Sequence, residues 1–453
     1  MLRAKPIKTN WFFPTILLLF ILTATQIFAQ NPLITNQFTA DPSARVFGDR
    51  VYVYPSHDIL ANKDRGRVDW FCMEDYHVFS SANLTDWKDH GVIVTQNKVP
   101  WVKPDSYSMW APDCIERNGK YYFYFPSTPT DTSGGRGFRI GVAIADQPTG
   151  PFVPQDLPIA GVRGIDPNVF IDKDGQAYLY WSQGNIYGAK LKENMTELAS
   201  DPVAFQNLPT KGLKEGPYLF ERNGIYYLTY PHVENKTERL EYATSNSPLG
   251  PFKVAGVIMD ETPGCWTNHH SILEFKNEWI LFYHANDLSP NFDKARSIRA
   301  DYLSFNEDGT IIKVKPTLRG IGITKATDKI QIDRYSEVSG AGATVGFIDT
   351  TLKKFDGWKV QLKGSNDWVS YNNVDFGQQK LNTIQIKVKS GSGSEVVVKS
   401  KKDNQILAKI NVPKTEGWGV LEFPISINKS GIKDLKVENV ENKSVEIDWI
   451  SFK

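Results

Sequence analysis

Three acidic residues stand out by their settings. Asp41 and Asp166 each directly precede a proline, and Glu215 precedes Gly-Pro. A lone Asp before Pro is ordinary turn chemistry. Three carboxylates at one equivalent place of a repeating unit are not, because turns have no use for them as a set. Gathered round one point, they could bind a hard cation such as calcium, which takes many oxygen ligands, or divide into acid and base on a polar substrate.

The equivalence comes from the elements that carry them. Residues 164–181 read as a hairpin: an apolar run, a turn at Asp174-Gly175, then alternating Ala177, Leu179 and Trp181. Asp41-Pro42 likewise precedes Gly48-Asp49 and an apolar run at 51–54, and Ala111-Pro112-Asp113 precedes Asn118-Gly119 and an aromatic run at 121–125. Glu215-Gly216-Pro217 precedes Asn223-Gly224 and a run at 225–230, while Asn268-His269-His270-Ser271 precedes Lys276-Asn277 and a run at 279–283. Five copies, about 50 to 70 residues apart, predict a five-bladed β-propeller in which each copy sends one position to the axis. The three acids lie on different blades. They should therefore face each other across a cavity and not chelate one ion from a single loop.

The rest of the chain frames this ring. Residues 1–29 have a basic start (Arg3, Lys5, Lys8), an apolar core at 11–22 and a small-residue cleavage point after Ala29. They predict a cleaved signal peptide, an exported protein (periplasmic or secreted) and no membrane attachment after cleavage. No Cys stands at the cleavage point, which argues against a lipoprotein. About 420 residues then remain, enough for two domains. The expectation is an all-β chain: propeller at 31–322, linker at 323–329, and a β-sandwich of jelly-roll type at 330–453. Short alternating strands at 383–388, 395–399 and 445–452, separated by Gly/Ser/Asn turns, carry the sandwich reading. The formal net charge is +1 with no basic block, so nothing electrostatic favours nucleic acid. Cys72, Cys114 and Cys265 are too few and scattered for a disulfide framework or a zinc site, and read as small buried hydrophobes. Oligomeric state is not legible.

Opposed carboxylates suit inverting glycoside hydrolysis. There one carboxylate takes a proton from water, while the other, about 6.5–9.5 Å away, protonates the leaving oxygen. A third acid beside the donor raises that donor's pKa by like-charge repulsion. The motifs Thr39-Ala40-Asp41-Pro42, Ser108-Met109-Trp110-Ala111-Pro112-Asp113, Gly164-Ile165-Asp166-Pro167, Lys214-Glu215-Gly216-Pro217 and His269-His270-Ser271, in this order on equivalent hairpins, resemble glycoside hydrolase family 43 over about residues 32–322. The resemblance implies a five-bladed propeller that cleaves arabinofuranosyl or xylosyl bonds with inversion and no organic cofactor. It implies Asp41 as general base, Glu215 as general acid, and Asp166 as the residue that tunes and orients Glu215. It favours Trp110 as a wall of the sugar pocket over a core Trp, and Arg296 over Arg299 as a cationic contact to substrate hydroxyls, with an ordinary salt bridge as the alternative. It also implies a structural calcium ion on the axis near His269, against a neutral His that only shapes the core.

The C-terminal segment resembles carbohydrate-binding module family 6 through residues 330–336, 357–362, 367–371, 416–419 and 447–452. Such modules hold glycans with two loop aromatics, which would be Phe347 and Trp418, although a Tyr is usual at the first place and Leu421 stands where a second Trp often follows. A sandwich that only buttresses the propeller is the alternative. The expected partner is plant cell-wall polysaccharide or its oligosaccharides, with no nucleic acid. The segments 59–76, containing Trp70, and 128–138 are expected to close one side of the funnel and favour exo-action at terminal α-L-arabinofuranose or β-D-xylose over endo-action on arabinan. A fructan- or sucrose-acting propeller usually carries an Arg before the middle Asp-Pro and a Cys after the Glu, where this chain has Ile165 and Gly216. A non-catalytic sugar-binding propeller would not need all three acids.

Overall fold

The computed structural model describes residues 31–453 except 263, 290–293, 321, 349–355 and 428–430. The expected signal peptide lies outside the described residues. Apart from one 3-10 turn at Gln96–Lys98, the regular elements among these residues are all β-strands.

The first two-thirds form up-and-down antiparallel sheets. Four have four strands: β1 (Ala40–Phe47) to β4 (Lys88–Thr95) through β2 (Arg50–Ser56) and β3 (Asp75–Ser81); β5 (Asp113–Arg117) to β8 (Val153–Pro154) through β6 (Lys120–Ser127) and β7 (Arg139–Ala145); β9 (Ile165–Ile171) to β12 (Val203–Ala204) through β10 (Ala177–Ser182) and β11 (Ile186–Lys190); and β13 (Tyr218–Arg222) to β16 (Lys253–Met259) through β14 (Ile225–Val233) and β15 (Glu238–Ser245). A fifth has three: β17 (Ser271–Phe275), β18 (Glu278–Ala285) and β19 (Ser297–Tyr302). The hairpin turns follow their residue types. Asn118-Gly119, Asn223-Gly224 and Lys276-Asn277 each place two successive residues at positive φ, the geometry of a type I′ turn.

Aromatic and β-branched residues alternate along these strands and bury both sheet faces, so each sheet shares a core with the next. Tyr54 and Tyr76 meet Phe123 and Phe125 between the first and second sheets. Tyr180 meets Leu219 and Leu228 between the third and fourth, and Val51 and Phe79 meet Ile280 and Phe282 between the fifth and first. Each fully buried aromatic or aliphatic side chain contributes about 1.5–3 kcal/mol. The repeated Gly-Pro-Phe turns at 150–152 and 250–252 lie just beyond carbonyls that receive phenol groups from another sheet: Tyr54 Oη donates to Pro148 O at 2.6 Å, and Tyr180 Oη to Pro248 O at 2.8 Å. The leading strands β1, β5, β9, β13 and β17 touch in that order, and β17 touches β1 again. The N-terminal segment joins the fifth sheet, with Leu33 N–H donating to Ile298 O at 3.0 Å.

The last third holds two six-stranded sheets over one apolar core that includes Ile384, Ile386, Val396, Val398, Val437 and Ile447. Thr324–Lys325, inside the expected linker, instead pairs in parallel with Trp368–Asp375 of one of these sheets. This unit docks on the first through Trp358, whose Nε1–H donates to Leu288 O at 2.8 Å and whose ring meets Phe38 edge-on at 5.3 Å. Arg319 donates to Asn372 O and Arg334 O, and Arg334 to Pro32 O.

Candidate active site

The Asp-Pro motifs are β-bulges. Pairing of β1 with β2 jumps from Ala40↔Ser56 to Ser43↔Tyr54, and pairing of β9 with β10 jumps from Ile165↔Ser182 to Asn168↔Tyr180. In both bulges the Asp sits in the left-handed region, at φ 47 for Asp41 and 57 for Asp166. Asp is among the few residues that tolerate this conformation, and the following Pro has no N–H to leave unpaired. The bulge turns the carboxylate out of the ladder. At the third motif Gly216 takes the positive φ, 52°, after Glu215. A Cβ there would come within 2.9 Å of Pro231, so glycine is required.

One cavity of about 190 Å³ is lined by Asp41, Asp166 and Glu215 together with Trp110, His269 and Arg296. The three acids, Trp110, Arg296 and His269 named from sequence therefore meet at one place. Trp70, Phe71, Trp266 and Asn268 complete the wall. Trp70 packs on Phe71 at 5.7 Å and Phe71 on Trp266 at 6.2 Å, while Phe138 closes on Trp110 at 4.6 Å. Of the two segments expected to close the funnel, 59–76 lines the cavity with Trp70 and Phe71, while 128–138 reaches it only through Phe138 packed against Trp110.

The acids have different electrostatic surroundings. Burial works against a charged Asp41, but Arg296 donates to it at 2.9 Å and Ser56 at 2.7 Å, and these with His284 and His269 hold it down to about 2. Asp41 N–H also donates to His284 Nδ1 at 3.1 Å. Arg296 in turn makes two 2.8 Å bonds to buried Asp58, and its guanidinium lies 4.9 Å over the Phe71 ring. Glu215 goes the other way. Burial and contact with the Glu238 carboxyl push its pKa well above the usual range. Asp166 is also pushed well up, by burial and by Glu215, while accepting Gly216 N–H at 2.9 Å. The cavity thus sets one carboxylate whose pKa is held low against two acids whose pKa values are pushed up.

Of the alternatives left open by sequence, Arg299 turns away to Asp287 and Leu318 O, and His270 is buried against Thr229 Oγ1 at 2.6 Å. His269 offers one nitrogen, its Nδ1 is 3.8 Å from Asp41 Oδ1, and that carboxylate is already taken by Arg296 and Ser56. Calcium takes six to eight ligands, waters among them, so an ion held near His269 would draw most of its shell from solvent. The three cysteines are free and buried, as expected.

Phe347 and Trp418 are corrected as a pair. The strand Ala343–Phe347 and the strand Gly419–Ile427, which follows Trp418, are opposite edges of one sheet, so four strand spacings of about 4.8 Å separate them. Phe347 packs edge-on against Phe38 at 5.6 Å in the docking interface. Trp418 is half-buried, with Lys387 Nζ 5.8 Å over its ring.

Sequence reading missed Asp58, Trp266, Asn268 as a wall residue, His284 and Glu238. His284 follows an aromatic run as a single polar residue and Asp58 ends the polar Ser56-His57-Asp58, weak signals without the fold. Asp113 was named only inside a motif. Buried, it accepts from Ser43 and Arg45 and from Val169 N–H at 2.7 Å, tying three leading strands together.

The family model for Glycosyl hydrolases family 43 matches residues 29–311, and that for Carbohydrate binding module (family 6) matches residues 338–453. The chain is 37% identical over 339 residues to Xylosidase/arabinosidase 43A of Humicola insolens, covering 63% of this chain and 99% of that protein. It is 29% identical over 474 residues to an arabinoxylan arabinofuranohydrolase of Bacillus subtilis, covering 89% of this chain and 88% of the other. Among solved structures, the GH43_1 enzyme of Xanthomonas citri complexed with xylose matches at TM-score 0.57 and 36% identity, over 64% of this chain and 94% of that one. With the match spanning more than half of its length and set on the motifs that build the cavity, the chain belongs to glycosyl hydrolases family 43 and is a glycoside hydrolase.

Proposed function

We propose that this enzyme is an inverting exo-hydrolase that releases terminal α-L-arabinofuranose, β-D-xylose or both from arabinoxylan and its oligosaccharides. In this reading Asp41 takes a proton from the attacking water, Glu215 protonates the glycosidic oxygen, and Asp166 holds Glu215 in place. The carrying observation is the division of surroundings within one cavity: Asp41 is bonded by Arg296 and Ser56, which hold its pKa low, while Glu215 on the facing wall has its pKa pushed up by burial and the nearby carboxyl of Glu238. That is the assignment that separate base and acid roles require. The relatives named above as xylosidase/arabinosidase and arabinofuranohydrolase supply the sugar class. A cavity of about 190 Å³, below the about 300–1,000 Å³ of drug-sized ligand clefts, suits one terminal sugar between Trp70, Trp110 and Trp266.

The five sheets are read as the blades of a closed propeller, supported by the cyclic contact of their leading strands and the cores shared between neighbours. The basic and apolar start of the chain supports export to where plant-wall polysaccharide is met. No step is routed through a metal ion.

The test compares wild type with Glu215→Ala on p-nitrophenyl α-L-arabinofuranoside, p-nitrophenyl β-D-xyloside and xylo-oligosaccharides, with the released anomer followed by proton NMR. Inverted sugar from wild type and a loss of about 10³-fold or more on oligosaccharides in the variant are expected. Retained configuration would overturn the mechanism, and an unimpaired variant would overturn the acid assignment.

A further inference from the structure

The first sheet carries a polar cluster that the acid ring does not use. Alternation along 56–58 sends Ser56 to Asp41 and Asp58 to Arg296, and turns His57 the other way. β2 pairs with β3 through Ser56↔Tyr76, a register that sets His57 opposite Asp75. His77, two residues along β3, shares the Asp75 face. Ser56, Asp58 and Tyr76 are buried, whereas His57, Asp75 and His77 are partly exposed, so solvent reaches the cluster.

The three side chains converge. One ligand atom from each lies within 4.8 Å of the other two, and among the described residues this is the one group of three or more His, Cys, Asp or Glu that does so. His57 Nδ1 is 2.6 Å from Asp75 Oδ1, and the two imidazole rings meet edge-on at 5.2 Å. His77 Nδ1 is 3.0 Å from Asp89 Oδ1, which leaves Nε2 as its open nitrogen. A carboxylate behind a His fixes the ring's tautomer and orientation, the arrangement usual behind metal-bound imidazoles. Among the described residues no Lys or Arg pairs with Asp75, while Glu74 beside it is taken by Arg65. A carboxylate between two imidazoles, without a protein cation, is a donor set for a positive ion.

Imidazole donors weigh against calcium and magnesium, which take oxygen, and suit zinc and its first-row neighbours. Four-coordinate zinc with bonds of about 2.0–2.2 Å holds its donor atoms about 3.4 Å apart, so the cluster needs a closure of about 1.4 Å at most, within reach of side-chain rotation. We propose that His57, Asp75 and His77 bind a zinc-like divalent ion, with water as a further ligand and Asp89 orienting His77. The ligands stand at the two ends of the segment 58–74, which brings Trp70 and Phe71 to the cavity wall. The ion therefore staples the stem of that loop, alongside the bond from Ile59 N–H to Cys72 O at 2.9 Å.

The experiment is a zinc titration of the untagged full-length enzyme by calorimetry, after stripping with a chelator. One zinc per chain with micromolar or tighter Kd is expected. His57→Gln and His77→Gln should each abolish that binding, and Asp89→Asn, which keeps all three ligands, should weaken it about 10- to 100-fold. Zinc should also slow tryptic cleavage after the exposed Lys63 and Arg67 in wild type and not in His77→Gln. X-ray absorption at the zinc edge needs no variant: a shell of two imidazoles and oxygen at about 2.0–2.2 Å is expected. No zinc uptake at micromolar concentration overturns the proposal, as does a zinc shell without imidazole, or uptake that both His variants leave unchanged. Cleavage that zinc-loaded wild type does not slow overturns the stapling of the loop.

Discussion

Asp166 holds Glu215 through the backbone: the N–H of Gly216, the residue after the acid, donates to Asp166 Oδ2 at 2.9 Å in a buried setting. Removing the acceptor strands a buried amide, a cost of about 1–3 kcal/mol, and frees the peptide that sets the Glu215 side chain. If that cost falls on the transition state, kcat/KM drops about 5- to 150-fold. Asp166→Ala should show the full drop on oligosaccharides. Asp166→Asn, which keeps an acceptor oxygen, should recover part of it. Equal losses in the two variants would mean that the charge, and not the hydrogen bond, carries the effect.

Arg296 stands between two buried carboxylates, Asp41 and Asp58. Breaking a buried pair leaves uncompensated charge at about 3–5 kcal/mol. The pH effect has a definite sign. Arg296 lowers the Asp41 pKa to about 2, so its loss lets burial raise that pKa, and the base is protonated at higher pH. Arg296→Ala should bring the acid limb of kcat/KM up by about two pH units or more. Arg296→Lys keeps the charge but not the two-pronged bonding to Asp58, and should fall between. An unmoved acid limb in a folded Arg296→Ala enzyme would remove Asp41 from the role of base.

The ring was legible because turn chemistry is local. Asp41-Pro42, Asp166-Pro167 and Glu215-Gly216-Pro217 repeat on hairpins whose Gly-Asp, Asp-Gly and Asn-Gly turns mark them as equivalent, and the bulges at the two Asp-Pro motifs depend only on neighbouring residues. Arg296, Trp110 and His269 came with the family resemblance, and the structure puts all three at the cavity. Asp58, His284 and Glu238 were not legible. Each is defined by a partner far away in sequence, as in the contact of Arg296 with Asp58 across 238 positions, and no local pattern carries that information. Phe347 shows the opposite failure. Its place in a binding-module pattern predicted a glycan contact, but tertiary packing spends the ring on Phe38.

That packing separates two roles in the C-terminal unit. Phe347 lies in the interface, so Phe347→Ala should lower the melting temperature, at about 1–3 kcal/mol for the lost burial, and leave retention on insoluble arabinoxylan unchanged. Trp418→Ala removes a half-buried ring away from the interface. It should weaken retention without changing kcat on small aryl glycosides. Retention that depends on Phe347 and not on Trp418 would contradict the sheet geometry.

Trp358 carries the docking itself. It is 1% exposed, stacks edge-on with Phe38 three residues before Asp41, and donates to Leu288 O. Its cluster also includes Ala295, the neighbour of Arg296, so one side chain of the C-terminal unit touches the approaches to both members of the Asp41–Arg296 pair. Trp358→Ala should cost about 3–5 kcal/mol, and it should lower kcat/KM as well because Arg296 loses its support. Trp358→Phe keeps a ring against Phe38 and gives up only the bond to Leu288, a loss of about 1 kcal/mol, and should restore most activity. Melting curves and kinetics on the same preparations separate the two effects. If Trp358→Ala melts earlier but turns over normally at 25 °C, the docking serves stability alone, and Arg296 is held well enough by Asp41 and Asp58.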